Sequence, residues 1–197
     1  MPKSTAREQA LQNALDTLAA TDVAQRCTSL GLPQPQGSAC MVPLMGTTVK
    51  VDTQTGETRT DRGDPVHPDE QILLLHYLCC PGPVEPSEEL VAFRDLPGGA
   101  FYNTPFENRT VRILEKVVGA KVEALNNALT SLHSTRLDKG DCTGRVAALG
   151  AIDLALIYNA PDDEFGAQAR ILFSSTVKQV FGAEDAAVLA SRLVMRL

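Results

Sequence analysis

The residues best suited to chemistry are few and scattered. His76 sits inside the apolar run Ile72-Leu73-Leu74-Leu75-His76-Tyr77-Leu78, where a neutral imidazole needs one donor and one acceptor partner. Two roles fit it: a core histidine satisfied by hydrogen bonds, or a ligand or acid/base group whose pKa burial would lower. No two histidines stand at i, i+4, so a helical pair of metal-binding imidazoles is missing. Arg94, Arg109 and Arg112 come together if the turn Pro97-Gly98-Gly99 folds its strand back onto the helix that follows. Amides at that helix start, with Gly98 and Gly99 allowing close approach, would then share an anion with a guanidinium. The plainer reading is a neighbourhood of surface ion pairs around Arg94 and Asp95, of little energetic weight. Pro97-Gly98-Gly99 is no phosphate loop, because the five-residue spacing and the Lys-Ser/Thr ending are both absent.

Asp163 stands in the run Asp162-Asp163-Glu164, which offers oxygen ligands to a hard cation but lacks the alternate spacing of a calcium loop. A solvated turn is the simpler use of such a run. Cysteine occurs at 27, 40, 79, 80 and 142, an odd count with no C-x-x-C spacing. That pattern favours free thiols and excludes the usual zinc-ribbon and four-cysteine iron–sulfur arrangements. Cys79-Cys80 reads as two small, soft residues closing a buried helix, or else as a redox-active or soft-metal pair. Serine nucleophile elbows and dinucleotide glycine fingerprints are absent.

Bulk properties narrow the classes further. The 197 residues suit one domain, residues 1–197, with residues 1–35 as a helical segment packed on it. Hydrophobic residues are 44% of the chain, enough for a core without metal or disulfides. Aromatics are 5%, Trp is absent and the net charge is −6, which argue against nucleic-acid binding by stacking or by a basic face. The longest apolar run in the core helix is far short of the roughly 18 residues a membrane span needs. The first residues lack an apolar signal core, so the expected location is cytoplasmic.

The elements that must hold these residues are legible in the punctuation. Thr5 and Glu8 suit a capping box ahead of a helix carrying Leu11, Ala14, Leu15 and Leu18. Met41–Met45, Thr47–Asp52 and Glu57–Thr60 form a meander broken at Gly46 and Gly56. His67-Pro68-Asp69-Glu70 starts the His76 helix, with Pro first and acids in the first turn. Thr104-Pro105-Phe106-Glu107 suits a second capped start, for a helix burying Phe106, Ile113, Leu114 and Val117 and ending at Gly119. A helix follows near Lys121–Leu132, then strands at Ile152–Tyr158 and Arg170–Phe173, then a helix after Gly182. The sum is an α+β single domain, a mostly antiparallel sheet of short strands packed with about five or six helices.

Several segments taken together resemble a known prokaryotic family. They are Gln71–Leu78; Phe93–Gly99 with Tyr102, Phe106 and Arg109; Gly140-Asp141; Asp162–Phe165; Ile171–Phe173; and the Glu184-Asp185 helix. In this order they resemble the family catalogued as domain of unknown function 3786. The resemblance implies an anaerobic host and, in some relatives, a neighbouring four-cysteine iron–sulfur module similar to that of corrinoid iron–sulfur proteins. This chain lacks that spacing, so a cluster would have to sit on a partner. Two functions are therefore expected. One is a non-enzymatic binding domain serving a redox or corrinoid/iron–sulfur partner protein in an anaerobic pathway. The other is a small-molecule enzyme with a site around His76, Arg94 and Arg109, joined by Asp163.

Overall fold

The computed structural model describes residues 2–197. Helix α1 (Pro2–Ala19) lays Ala14 and Leu18 into the core, with Leu11 and Leu15 partly covered beside them. It begins at Pro2, so Thr5 lies inside the helix and does not cap it; Pro is well tolerated in a first turn, where its missing amide has no partner to lose. The short helix α2 (Val23–Ser29), not foreseen, is capped by Asp22, whose carboxylate accepts from the Gln25 amide at 3.0 Å.

Strands β1 (Ala39–Leu44), β2 (Thr47–Asp52) and β3 (Thr58–Thr60) form the expected meander. Helix α3 (Pro68–Cys79) starts as anticipated, and the His67 ring caps it by accepting from the Asp69 amide at 3.2 Å. After β4 (Leu90–Ala92) and a 3-10 turn at Phe93–Asp95 come α4 (Gly99–Arg109), α5 (Val111–Val118) and α6 (Val122–Ser131). Strands β5 (Cys142–Leu149), β6 (Ile152–Asn159) and β7 (Gln168–Ser174) follow, then the short α7 (Val177–Val180) and α8 (Ala183–Val194).

All seven strands pair antiparallel in one sheet of order β3-β2-β1-β5-β6-β7-β4. The architecture is a single α+β domain. On one face Val146, Leu154, Leu156, Tyr158, Ile171 and Phe173 are buried across β5, β6 and β7. The other face carries Arg145 and Asp153, ion-paired at 2.7 Å, and Arg145 also reaches Glu88 and the Ser87 carbonyl. The segment between α3 and β4 is thereby fastened over that face. Tyr77 of α3 packs on the β5–β6 turn at Gly150 (φ 55°), where a Cβ would meet the phenol at 2.2 Å, and its hydroxyl accepts from the Ala151 amide. One hydrophobic cluster runs from Ala14 to Val194.

The chain departs from expectation in three further places. Strand β5 was not anticipated. Eight helices occur among the described residues, because the stretch expected as one helix from Thr104 is two. It begins five residues earlier, at Gly99, which puts Pro105 inside α4, where it denies the Phe101 carbonyl its helical donor. The backbone then breaks at Thr110 (φ −130°, ψ −90°), a fully buried residue whose hydroxyl donates to the Phe106 carbonyl at 2.7 Å. That break rotates the following turns. Val111, Leu114 and Val118 are buried in α5, while Ile113 and Val117 face solvent.

Candidate functional site at the α4–α8 cleft

Gly99 explains how α4 is seated. A Cβ at this position would lie 2.0 Å from the Phe93 carbonyl oxygen, so only glycine lets the helix start against the 3-10 turn. Gly98 precedes it with φ 78° and lies near Ala183 of α8. These two residues are therefore spacers between backbone segments. Seated this way, α4 directs Phe106 inward, where its ring stacks on Phe93 with centroids 4.1 Å apart and Phe173 leans against both.

Phe106 separates two clefts. The first, of roughly 280 Å³, lies between α4 and α8 and is walled by Tyr102, Pro105, Phe106 and Arg109 against Ala183, Glu184 and Ala187. The α4 residues recur at i, i+3, i+4 and i+7, one face of a helix. Phe101, 91% exposed, stands one turn before Pro105 and extends that face outward, beside Tyr102 at 63%. The Arg109 guanidinium has no ion pair or hydrogen bond among the described residues. The second cleft, of roughly 370 Å³, runs between α4 and β7 and includes Arg94, Asn103, Glu107 and Arg170.

The three arginines expected to converge do not. Arg94 is mostly exposed and lies 3.9 Å from Asp95, Arg109 opens into the first cleft, and Arg112 pairs with Glu115 at 3.0 Å. Asp163 belongs to neither cleft. It is exposed on the β6–β7 loop, where its neighbour Asp162 organises the turn by accepting from the amides of Glu164 and Phe165. Those two amides hold the Asp162 carboxyl below the ordinary range.

His76 has a partner that sequence reasoning did not supply. Its Nδ1 lies 2.9 Å from the Asp185 carboxylate in the first turn of α8, with the two side chains 34% and 25% exposed. The hydrogen bond to Asp185 pushes the His76 pKa up; partial burial opposes this, and the charges of Asp185 and Glu184 reinforce it. A carboxylate-held imidazole keeps its Nε2 available as a proton donor or acceptor. Glu184, next in the chain to Asp185, lines the α4–α8 cleft, but Asp185 lies on the side of α8 that faces α3, so the pair stands apart from that cleft. In the sequence Asp185 stood out only within the Glu184-Asp185 helix of the family resemblance, 109 residues from the histidine it holds. Phe101 did carry a signal: a chain of six Phe and three Tyr placed two aromatics side by side on one helix.

Among the described residues no group of three or more His, Cys, Asp or Glu is arranged to hold a metal ion. No helix is long and apolar enough to cross a membrane. The family model described as Domain of unknown function (DUF3786) matches residues 22–196. The chain belongs to this family. No curated protein and no solved structure matches it. The DUF3786 match spans α2 to α8, so both clefts and the His76–Asp185 pair lie within it, and α1 precedes it.

Proposed function

We propose that this DUF3786 chain is a non-enzymatic binding domain that docks a protein partner on the α4–α8 cleft. The observation that carries this is the exposed pair Phe101 and Tyr102 beside the unpaired Arg109. Aromatic side chains and arginine dominate the energetics of protein interfaces, and here they flank a concave apolar floor. A matching partner presents an apolar side chain with a carboxylate next to it, to fill the cleft and meet the guanidinium. The partner we infer is a redox or corrinoid/iron–sulfur protein of an anaerobic pathway; this part rests on the family resemblance and on cysteines that do not themselves make a cluster site.

The test is capture from an anaerobic host extract, run in parallel with wild type and a Phe101→Ser/Tyr102→Ala variant. The reading expects a cofactor-bearing protein retained by wild type, with affinity at least about tenfold weaker for the variant. Repeated capture of no such protein, or equal capture by both, would count against it.

A second reading, a small-molecule enzyme around His76, Arg94 and Arg109, has one observation in its favour. The His76–Asp185 pair has the form of an oriented acid/base group. Arg94 and Arg109 open into different clefts, which weakens the case for a common site. Consumption of a metabolite from a small-molecule extract by wild type but not by His76→Gln would favour this reading over docking.

A further inference from the structure

Four of the five cysteines gather around helix α2. Cys27, on α2, and Cys40, on β1, have no exposed surface, and their sulfurs lie 3.1 Å apart as free thiols. The preceding residue, Arg26, donates to the Cys80 sulfur at 3.1 Å and to the Gly82 carbonyl at 2.7 Å, tying α2 to the end of α3. Its Nε has no partner.

We propose that Cys27 and Cys40 are a reversible modification site: an intrachain disulfide, formed by exchange with a low-molecular-weight disulfide, that fastens α2 to β1. The sulfurs must approach by only about 1 Å to reach the bond length near 2.05 Å. Bridging a metal ion is a poorer use of the same pair. A zinc ion about 2.3 Å from each sulfur would hold them further apart than this at a tetrahedral angle, and no third ligand is grouped with them among the described residues. Nor is the pair a generic burial of soft side chains. Cys142 is equally buried, at 3% exposed, but has no thiol beside it.

The exchange balances in two steps. One cysteine thiolate attacks the small disulfide, forming a mixed disulfide and releasing one small thiolate. The other cysteine, as thiolate, then attacks the protein sulfur of that mixed disulfide and displaces the second. The protein loses two protons and two electrons, and the small disulfide becomes two thiols. Burial pushes Cys40 up to about 12, with its hydrogen bond to Cys27 adding to the rise, so in the closed form the Cys40 thiol stays protonated, and neither sulfur is exposed to react. Exchange therefore passes through openings of α2 that expose the sulfurs, after which the neighbouring thiol closes the bridge in preference to a second small molecule.

The test is incubation of the reduced full chain, under native conditions, with oxidised glutathione, followed by thiol counting and non-reducing peptide mapping. Two of the five thiols should be lost, in a Cys27–Cys40 link that dithiothreitol reverses, while Cys142 stays free. A Cys79→Ala chain should form the same link, and Cys40→Ala should leave Cys27 unlinked within the chain. Retention of all five thiols would overturn the proposal, as would a Cys79–Cys80 bridge in place of this one. Modification of Cys142 as fast as the link appears would overturn it too, because the bridge would then be a product of global unfolding.

Discussion

Helices α3 and α8 are joined at both ends by charged pairs, and the two ends are built differently. At one end Glu70, in the first turn of α3 and 2% exposed, accepts from Arg192 at 3.2 Å and from Arg196 at 2.8 Å. At the other, His76 in the last turn of α3 meets Asp185 in the first turn of α8 at 2.9 Å. Each acid sits near a helix N-terminus and each cation near a C-terminus, so both pairs complement the macrodipoles of the two antiparallel helices. The buried end uses guanidinium groups that stay charged at any physiological pH. The half-exposed end uses an imidazole, whose charge depends on pH and whose pKa the Asp185 hydrogen bond raises. One end is a fixed fastening; the other is adjustable by pH.

The sharpest way to break this contrast is to remove both arginines. Arg192→Ala with Arg196→Ala strands the buried Glu70 carboxylate, and loss of the partners of a buried charge costs about 3–5 kcal/mol. Urea unfolding should show that loss at every pH from mild acid to mild base. A loss below about 1 kcal/mol would place Glu70 among ordinary surface pairs and erase the difference between the two ends.

The His76 end predicts a smaller and pH-dependent effect. Its folded pKa is raised above the ordinary 6.5, chiefly by the Asp185 hydrogen bond. The stabilisation is then fully present below pH 6.5 and fades as the pH rises through the raised folded value. Asp185→Asn should cost under about 1 kcal/mol below that window, given the partial exposure of both groups, and progressively less above it. Urea midpoints for wild type and Asp185→Asn that ran parallel across the window would show that the pair does not titrate as described. An NMR titration of His76 in both chains reads the same prediction directly, with the lower pKa expected in the variant.

This pair also shows where the sequence was legible. The His67-Pro68-Asp69-Glu70 start and the β1–β3 meander were readable because caps and turn residues act on neighbours a few positions away. The partner of His76 was not, since nothing local ties it to Asp185 across 109 residues. Thr104-Pro105-Phe106-Glu107 has every local mark of a helix start, yet the tight contact at Gly99 and the Phe106 stack begin the helix earlier. Strand β5, Cys142-Thr143-Gly144-Arg145-Val146-Ala147-Ala148-Leu149, was hidden because its covered ends erase the polar alternation that marks a half-exposed strand. Of the six candidate site residues, Arg109 alone lines the α4–α8 cleft, and His76 pairs with Asp185 on the other side of α8. Arg94 opens into the other cleft, Gly98 and Gly99 serve as spacers, and Asp163 lies apart.

The smallest effect on stability is expected at the proposed docking surface, and its smallness is informative. Phe101 and Tyr102 are 91% and 63% exposed, so removing their rings takes away little that folding buries. Phe101→Ser and Tyr102→Ala should each move the unfolding free energy by no more than about 0.5 kcal/mol, the usual range for surface positions. Rings that contribute nothing to their own fold, on the helix that walls a cleft, are left free for the contacts that the proposed docking requires. If either substitution instead lowers stability by about 2 kcal/mol or more, its ring packs against α8 in solution, the cleft is closed, and this surface is part of the core.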